Sequence, residues 1–460
     1  MLLNTILIQK FGGTSVEDAR AIKRAIEIVR SRGITRRTRP LVVLSACAGV
    51  TNALIRIGEL SLKENMAEAL AAIDQLEARH ARIARELLEA EERIEHVQEQ
   101  LHLLWEELRT LARGINLLRE LTPRSRDQVQ SMGERASSLL FHAALAEQLG
   151  EEGTTVPLFD ARDFFLTTNE FTAARPVMVE ITRRMKRIRS ALVHGAVGVT
   201  QGFLGRTLAG EVTTIGRGGS DFSAAIMGVA LSAREIQIWT DVAGILTCDP
   251  RIAPEARTIE RISFREASEL AFFGAKVLHP ETIWPAVEKG IPVLVLSSKE
   301  PEREGTVIVE STEEERPMTG IAVKREIVFA RLASIESRQD AHGLRIVEEL
   351  LAESGVHPMA VAVSAEDMAY AFADASVVPI LRAASQGVAN LEIHTERALI
   401  TLVGPGLSGQ PGIAARIFRS LGRTNCEMIS YGGSQSAISL VVKDEVASRI
   451  VKKLHREFFE

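Results

Sequence analysis

The chain has 460 residues, of which 46% are hydrophobic and 25% are charged. This balance is typical of globular proteins and excludes disordered and fibrous classes, and at roughly 150 residues per domain the length predicts about three domains. Acidic residues outnumber basic ones by 60 to 55, giving a formal net charge of −5. No positive field therefore attracts nucleic acid or anionic lipid, and we expect neither as a partner.

The N-terminus reads as a first strand rather than a targeting signal, because it lacks a basic segment and runs directly into Lys10-Phe-Gly-Gly. No apolar run approaches the ~20 residues needed to cross a bilayer. The three cysteines, Cys47, Cys248 and Cys426, are scattered and have no disulfide or metal-type spacing. We therefore expect a cytoplasmic protein whose cysteines pack rather than react.

Short apolar, β-branched runs alternate with amphipathic helical stretches at residues 5–8, 41–44, 196–200, 236–240 and 293–296. This alternation predicts an α/β fold with a mainly parallel sheet. Between Gly58 and Gly114 there is neither glycine nor proline, and apolar residues recur at intervals of three, four and seven residues. We predict a helical segment over about residues 60–118, folded back as a hairpin. It forms either a cap packed on its own domain or a coiled-coil partner site.

A glycine-rich turn, Lys10-Phe-Gly-Gly-Thr-Ser15, lies between the first predicted strand and a helix beginning near residues 16–19. Glycine lets backbone N–H groups approach an anion, and a helix N-terminus adds favourable partial charge. The spacing matches neither the P-loop nor the dinucleotide-binding pattern. The turn is therefore interpreted as a phosphate cradle, the alternative being an ordinary strand-to-helix turn with a solvated Lys10.

A second cluster, Gly216-Arg-Gly-Gly-Ser-Asp221, directly precedes an apolar helix predicted over residues 222–230. Arg217 offers a planar fork for a carboxylate, Ser220 can cap the helix, and Asp221 can hold a lysine or a metal ion. The alternative is a capped helix start with an exposed arginine. Two such loops in one α/β domain favour an anion-binding site.

Further polar residues follow the strand predicted at 236–240. Thr240 and Asp241 lie where open α/β sheets bind ligands, and Arg251 adds a cation. Phe273-Gly-Ala-Lys-Val-Leu-His-Pro280 supplies a second lysine, Lys276, whereas His279 is interpreted as structural because no nucleophile motif accompanies it. Lysines, arginines and backbone amides without a protein nucleophile or a His/Cys metal motif favour phosphoryl transfer.

The stretch at residues 311–317 is charged and turn-prone, and it separates the α/β region from a differently patterned C-terminal third. In that third, the order of predicted strands and helices over residues 327–373 repeats over residues 398–458. We predict two tandem βαββαβ-like units of roughly 60 to 75 residues. Modules of this size usually bind small ligands or pair with one another.

Five motifs, taken in order, resemble those of the aspartate kinases in the amino acid kinase family. They are Lys10-Phe-Gly-Gly-Thr-Ser-Val, Ser45-Ala-Cys-Ala-Gly-Val-Thr-Asn52, Gly216-Arg-Gly-Gly-Ser-Asp, Trp239-Thr-Asp-Val and Phe273-Gly-Ala-Lys-Val-Leu-His-Pro. The C-terminal pair resembles the tandem ACT domains of these enzymes, and the layout is most similar to the monofunctional, lysine-sensitive type. The resemblance implies an αβα kinase domain over residues 1–310 and ferredoxin-like ACT domains over 318–395 and 397–460.

The resemblance also implies a reaction. The γ-phosphoryl group of MgATP would pass to the side-chain carboxylate of L-aspartate, opening the synthesis of lysine, methionine and threonine. ATP and Mg²⁺ are the implied cofactors, and no metal-ligating side chain is assigned. Because the substrate carboxylate is already a nucleophile, no general base is required. A homodimer is expected, with a homotetramer as the alternative, and an amino-acid effector is expected at the ACT domains.

By the same resemblance, Lys10 and Lys276 neutralise charge on the transferring group, and Asp221 orients Lys10. Arg217 holds the substrate α-carboxylate and Glu134 its α-ammonium group. The remaining substrate-site residues are Thr51, Gly218, Gly219 and Ser220. The nucleotide-site residues are Gly12, Gly13, Thr14, Ser15, Thr240, Asp241, Leu246, Arg251, Lys276 and Val277. For Glu134 the pattern alone predicts an exposed helical carboxylate, so its role rests on the resemblance.

Two sites depart from the family pattern. Leu246 replaces a tyrosine that relatives often carry in the nucleotide loop. In the first ACT domain, Pro358 and Met359 stand where relatives tend to carry an aspartate that holds the effector's ammonium group. A buried ammonium without a counter-charge is costly. Whether lysine inhibits is therefore left open, and Asp340 with His342 is the alternative effector site.

Two other functions compete with this interpretation. One is a kinase of glutamate or acetylglutamate, which the paired ACT-like modules argue against. The other is a ligand sensor whose kinase domain has decayed. All five charged residues of the proposed site are present, which argues against decay: Lys10, Glu134, Arg217, Asp221 and Lys276.

Overall fold

The computed structural model describes residues 4–63, 65–216, 218–274, 280–312, 316–334, 342–364, 367–387 and 389–460. These residues form two compact units. The first comprises the described parts of Met1–Gly244 and Leu278–Glu310, and the second those of Ile245–Val277 and Ser311–Glu460. No helix within the described ranges is long and apolar enough to cross a membrane.

The strands are β1 (Thr5–Phe11), β2 (Thr38–Leu44), β3 (Leu158–Phe159), β4 (Gly198–Gln201), β5 (Leu204–Arg206), β6 (Val212–Thr214), β7 (Glu235–Thr240), β8 (Arg261–Ser263), β9 (Val293–Ser297), β10 (Thr306–Val309), β11 (Gly320–Ser334), β12 (Ala360–Val363), β13 (Asp367–Phe372), β14 (Ala389–Val403), β15 (Met428–Ser430) and β16 (Ala437–Lys443). The helices are α1 (Ala19–Ile28), α2 (Val50–Leu62), α3 (Met66–Leu87), α4 (Glu91–Leu118), α5 (Pro123–Gly150), α6 (Ala161–Phe164), α7 (Met178–Arg184), α8 (Lys186–Val193), α9 (Gly219–Leu231), α10 (Phe264–Phe272), α11 (Trp284–Glu288), α12 (His342–Glu353), α13 (Val378–Ser385), α14 (Ile413–Leu421) and α15 (Asp444–Phe459).

The first unit is built on a mainly parallel sheet. Its strands lie in the order β3-β4-β2-β1-β7-β9-β10, and only β10 runs antiparallel to its neighbour β9. Strand β1 is buried from Ile6 to Phe11, as expected of a parallel strand covered on both faces, and Ile8 and Phe11 are fully buried. The predicted α/β class with a mainly parallel sheet is confirmed.

Local signals fix where the helices next to the site begin. The Asp18 side chain accepts a hydrogen bond from the Ala21 N–H at 2.7 Å and caps α1. Thr122 caps α5 in the same way through the Ser125 N–H at 3.1 Å, and Pro123 occupies the first helical position, which tolerates its missing N–H. These caps fix the first residues of the two helices that flank the glycine-rich turns.

The predicted helical segment comprises α3 and α4, joined by a short connection and packed with α5. Leu76, Ile83 and Leu108 belong to the same buried cluster as Phe11 and Leu44 of the sheet. The helices therefore cover their own unit's core, as the cap interpretation predicts.

The second unit contains an antiparallel six-stranded sheet in the order β12-β13-β11-β14-β16-β15. Strands β11 and β14 are each 15 residues long and pair along most of their length, with a register shift between Lys324 and Ile327. One core lies under α12 and α13, and another lies under α14 and α15. This is the tandem arrangement that the repeated pattern predicts.

Residues that follow Gly244 pack within the second unit. Cys248, Ile252 and Ala253 share a buried cluster with Ile400 and Leu454. The first compact unit is therefore smaller than the predicted domain of residues 1–310. The domain limits at 310, 318, 395 and 397 stay predictions.

Candidate active site

A cavity of about 360 Å³ in the first unit gathers most of the predicted substrate residues. It opens beyond the carboxyl ends of β1 and β2, where ligands bind in open α/β sheets. Its lining residues are Lys10, Gly13, Ser45, Ala46, Cys47, Ala48, Gly49, Thr51, Glu134, Phe203, Gly216, Gly218, Gly219, Ser220 and Asp221. The structure thus brings together side chains that lie up to about 200 residues apart in the sequence.

Lys10 and Asp221 form an ion pair across the cavity wall, with 2.7 Å between Lys10 Nζ and Asp221 Oδ1. The two side chains are only 10% and 15% exposed. A charge-assisted contact in such a poorly hydrated place fixes the ammonium group in one position. This contact orients the Lys10 side chain, and the roles of Asp221 and Lys10 in the reaction stay predictions.

The predicted phosphate cradle is a tight turn that leaves no room for a side chain at Gly13. The Gly12 N–H donates to the Trp239 carbonyl oxygen at 3.0 Å, and residues Gly13–Ser15 form a single 3-10 turn. A Cβ atom at Gly13 would lie 2.8 Å from the Ala46 carbonyl oxygen. The first N–H groups of such a turn lack partners within it. Bare backbone beside the Lys10 ammonium group fits the phosphates of a nucleotide.

The loop after β2 forms the opposite wall. The Ala48 N–H donates to the Gly13 carbonyl oxygen at 3.0 Å, and Gly49, with φ of 82°, is the N-cap residue directly before α2. Thr51 is the second residue of that helix. The Arg79 guanidinium group on α3 donates to the carbonyl oxygens of Ala48 and Glu17 at 3.0 and 2.9 Å. The sequence pattern assigned only Thr51 to the site here. It did not predict that the backbone of residues 45–49 lines the cavity or that Arg79 holds this loop by hydrogen bonds.

Glu134 projects from the middle of α5 into the cavity and is only 3% exposed. Burial raises the pKa of its carboxyl group to about 8, outweighing a hydrogen bond from the Ala46 N–H and the attraction of Lys10. Among the described residues, its Oε2 atom has no hydrogen-bond partner. The exposed carboxylate expected from the pattern alone is wrong, because Gly133 lets α5 approach Ala46 closely. A buried, unpaired carboxyl oxygen suits a ligand cation.

The second glycine cluster leads into α9. Gly216 and Gly218 have φ of 77° and 73°, and α9 begins at Gly219 with Ser220 and Asp221 in its first turn. A Cβ atom at Gly219 would lie 2.7 Å from the Phe203 ring. Phe203 itself, with φ of 66°, donates its N–H to the Ser223 hydroxyl at 2.9 Å. No sequence signal singled out Phe203. Arg217 lies outside the described residues.

The predicted nucleotide residues Ser15, Thr240 and Asp241 lie at the same edge of the sheet. The Ser15 and Ser298 hydroxyl groups are 2.7 Å apart, and Ser298 donates its N–H and hydroxyl to the Thr240 carbonyl oxygen at 2.7 and 3.0 Å. Thr240 donates its hydroxyl to the Asp241 carboxylate at 3.2 Å. Sequence reasoning missed Ser298, which follows β9 without any glycine signal.

Several other predicted residues are not placed at this cavity. Leu246 and Arg251 lie in the second unit, where Leu246 bridges to Thr258. Arg251 pairs with Asp249 at 2.7 Å, and its side chain is 85% exposed. Lys276, Val277 and Asp340 lie outside the described residues, as does the side chain of His342.

The two residues that depart from the effector-site pattern lie directly before β12. Pro358 precedes β12, and the Met359 N–H donates to the Ala371 carbonyl oxygen at 2.7 Å. In the described part of the chain, no group of three or more His, Cys, Asp or Glu side chains is arranged to hold a metal ion.

Comparison with known proteins identifies the family. Residues 5–297 match the amino acid kinase family, and residues 400–458 match an ACT domain. The chain is 34% identical to the lysine-sensitive aspartokinase 3 of Escherichia coli over the full length of both. The chain belongs to the aspartokinases. It is also 34% identical to aspartokinase 2, chloroplastic, of Arabidopsis thaliana, over 98% of this chain and 84% of that one.

Solved structures agree with this assignment to the aspartokinases. Escherichia coli aspartokinase III in complex with aspartate and ADP matches 99% of this chain with a TM-score of 0.80 and 34% identity. The same enzyme in complex with lysine and aspartate matches the same share with a TM-score of 0.84. Each match covers all of the solved chain. The family predicted from the five motifs is confirmed, together with its fold.

Proposed function

We propose that the chain is an aspartate kinase, which transfers the γ-phosphoryl group of ATP to the side-chain carboxylate of L-aspartate to give 4-phospho-L-aspartate. Full-length similarity to aspartokinases supports this reaction. The structural observation that carries it is the single cavity joining Lys10, Glu134 and Asp221 with two glycine-rich turns. Formation of this product is the first step in the synthesis of lysine, methionine and threonine.

The residues of the chain act mainly by positioning and by charge. ATP supplies the phosphoryl group, and Mg²⁺ offsets the charge of its phosphates. Lys10, fixed by Asp221, stabilises negative charge that builds up on the transferring group. The glycine turn offers the backbone N–H groups of Gly13 and Thr14 to the phosphates, because those of Gly12 and Ser15 already bond to the carbonyl oxygens of Trp239 and Gly12. The substrate carboxylate attacks without a general base, since it is already ionised at neutral pH.

Substrate recognition rests on the opposite charges of the two groups on the α-carbon of the amino acid. We assign the α-ammonium group to Glu134, whose buried carboxyl group has an unpaired oxygen. The α-carboxylate is assigned to Arg217, with Thr51, Gly218, Gly219 and Ser220 completing the site. Asp241 and Thr240 are assigned to the nucleotide. The assignments of Leu246, Arg251, Lys276 and Val277 to the nucleotide follow the family resemblance.

The regulatory part of the proposal concerns the second unit. We propose that its ACT domains bind an amino-acid effector, as a lysine complex of the Escherichia coli enzyme is known. Because Pro358 and Met359 replace the expected acid, we expect this chain to respond to lysine more weakly than a lysine-sensitive relative. We further propose a homodimer in the cytoplasm, a reducing compartment that suits the scattered cysteines.

The test is hydroxamate formation from purified protein, MgATP and hydroxylamine, with L-aspartate or L-glutamate as acceptor and with or without lysine or threonine. We expect an aspartate-dependent product, and we expect Lys10→Ala to lower its rate by about 100-fold or more, because a charge at the transition state is lost. A product with glutamate alone would favour another amino acid kinase. No product with either acceptor would point to a ligand sensor.

A further inference from the structure

Asp127 is a buried acid that the reaction described above does not use. It lies on the first turns of α5, two turns before Glu134 on the same helix, and it is fully buried. Because 7 residues make about two turns of a helix, Asp127 and Glu134 share one face of α5. In the described part of the chain no Lys, Arg or His side chain forms an ion pair with it. A buried carboxylate of this kind is retained only if hydrogen bonds satisfy it.

Three donors from two other elements fill both oxygens of the Asp127 carboxylate. The Thr214 hydroxyl donates to Oδ1 at 2.7 Å, and the Thr214 N–H donates to Oδ2 at 2.9 Å. The Thr172 N–H donates to both, at 3.1 and 2.9 Å. Both oxygens accept, as expected of an ionised carboxylate. The side chain therefore joins α5 to the end of β6 and to the turn at Thr172.

These partners lead directly to the second glycine turn. Thr214 ends β6 two residues before Gly216, and its carbonyl oxygen accepts the Ala174 N–H at 3.0 Å. Thr172 has φ of 71°, a conformation that costs free energy in a β-branched residue and persists only where its surroundings hold it. A Cβ atom at Gly216 would lie 3.2 Å from the Thr172 carbonyl oxygen, so the two turns pack closely. Gly216 in turn accepts the Gly219 N–H at 3.0 Å.

We infer that Asp127 is a positioning residue for L-aspartate, because it fixes the distance across the cavity between Glu134 on α5 and the turn formed by Gly216, Gly218, Gly219 and Ser220. This inference rests on the proposed function. Glu134 and the glycine turn are assigned to neighbouring groups of the same substrate, the α-ammonium and the α-carboxylate, so an amino acid binds well only when both are held at the correct separation. The nucleotide cradle at residues 12–15 follows β1 and does not depend on this contact.

The test compares Asp127→Asn with the wild-type protein. The substitution keeps the shape of the side chain but turns one acceptor into a donor that faces other donors, leaving at least one N–H group unpaired. We expect the KM for L-aspartate to rise by about tenfold or more while the KM for ATP changes by less than about twofold. Thr214→Val removes one of the three donors, and we expect a smaller rise in the same constant.

Leu145→Ala is the matched control, because Leu145 is fully buried on the same helix but far from the glycine turn. We expect it to lower the melting temperature and leave both KM values unchanged. An Asp127→Asn protein that is folded at the assay temperature and shows no rise in the KM for L-aspartate, or an equal rise in both KM values, would overturn the positioning role.

A second readout does not depend on activity. In hydrogen exchange followed by mass spectrometry on the free proteins, we expect Asp127→Asn to speed exchange in peptides covering residues 168–176 and 212–222, and Leu145→Ala to leave their rates unchanged relative to the rest of the chain. Unchanged exchange in Asp127→Asn would overturn the inference. If the wild-type protein forms no aspartyl hydroxamate, the proposed substrate is wrong, and the exchange comparison still decides whether Asp127 holds the turn.

Discussion

Burial keeps a proton on Glu134 at neutral pH, and this makes the affinity for substrate depend on pH. The pKa of the free carboxyl group is raised to about 8. Only its ionised form attracts an ammonium group, so binding of L-aspartate must release a proton. Below that pKa, we expect the KM for L-aspartate to fall by about tenfold for each unit of rising pH. Steady-state kinetics between about pH 6 and 8 measure this slope.

Glu134→Gln is the control for this prediction. The amide has nearly the same shape and cannot ionise, so we expect a raised KM for L-aspartate that no longer changes over the same pH range. A wild-type KM that is flat with pH, or a Glu134→Gln variant that keeps the wild-type slope, would contradict the assignment of the substrate ammonium group to Glu134.

His80 links the stability of the helical segment to pH. Its ring is fully buried on α3, with its centroid 5.1 Å from that of Trp105 on α4, and burial lowers its pKa from 6.5 to about 4. The unfolded chain therefore binds this proton more readily than the folded chain. The stability that depends on neutral His80 is present above about pH 6.5 and is lost as the pH falls toward 4, by up to about 3 kcal/mol.

Urea unfolding followed by tryptophan fluorescence at several pH values tests this expectation. We expect His80→Leu to flatten the loss of stability between about pH 6.5 and 4.5. His96→Leu makes the same substitution at an exposed position of α4 and serves as the control. Equal pH dependence in the wild type and in His80→Leu would show that other groups account for the loss.

At the scale of elements, replacing either of two helical glycines by alanine should change the stability of the protein, and the two changes should be opposite in sign. A Cβ atom at Gly133 on α5 would lie 2.7 Å from the Ala46 Cβ atom, whereas one at Gly114 on α4 would meet nothing within 4 Å. Alanine has a higher helix propensity than glycine, by up to about 1 kcal/mol. We expect Gly114→Ala to stabilise by about that amount and Gly133→Ala to destabilise by about 1–3 kcal/mol, because α5 must move away from the loop after β2.

Thermal melting of the two variants measures the sign of each effect. Hydroxamate assays should also separate them, with Gly133→Ala raising the KM for L-aspartate and Gly114→Ala leaving it unchanged. A stabilised Gly133→Ala variant with normal kinetics would mean that α5 and the loop after β2 are not held in close contact.

These glycines also show what a sequence can and cannot predict. The turns at residues 12–13 and 216–219 were predictable, because a cluster of glycines directly before a predicted helix indicates a turn from the local sequence alone. The burial of Glu134 was not, since it depends on Gly133 meeting Ala46 from an element about 90 residues away. Asp127 was missed for the same reason. Its three donors lie 45 and 87 residues further along the chain.

At the scale of the whole molecule, alternating strands and helices were enough to predict a parallel sheet followed by two smaller modules. The limits of the compact units were not predictable. Cys248, Ile252 and Ala253 read as part of the first region, yet they pack with Ile400 and Leu454 in the second unit. A local hydrophobic pattern predicts that a residue is buried but does not indicate which core it joins. Short-range patterns therefore cannot predict that the chain leaves the first unit after Gly244 and returns to it later.

The outer strands of the second unit predict that the protein forms a dimer. Strands β12 and β15 end the strand order of the antiparallel sheet and lie beside each other, and they carry Val363, which is 69% exposed, and Ile429, which is 39% exposed. Exposed apolar side chains on two neighbouring strands are unfavourable in a monomer. We expect light scattering at micromolar concentration to give the mass of a dimer, and we expect Val363→Lys to shift it toward the monomer by placing a charge at the edge. Val179→Lys, at a 79% exposed position of α7 in the first unit, should leave the mass unchanged. A wild-type monomer, or a Val363→Lys protein that remains as dimeric as the wild type, would place the subunit contact elsewhere or exclude it.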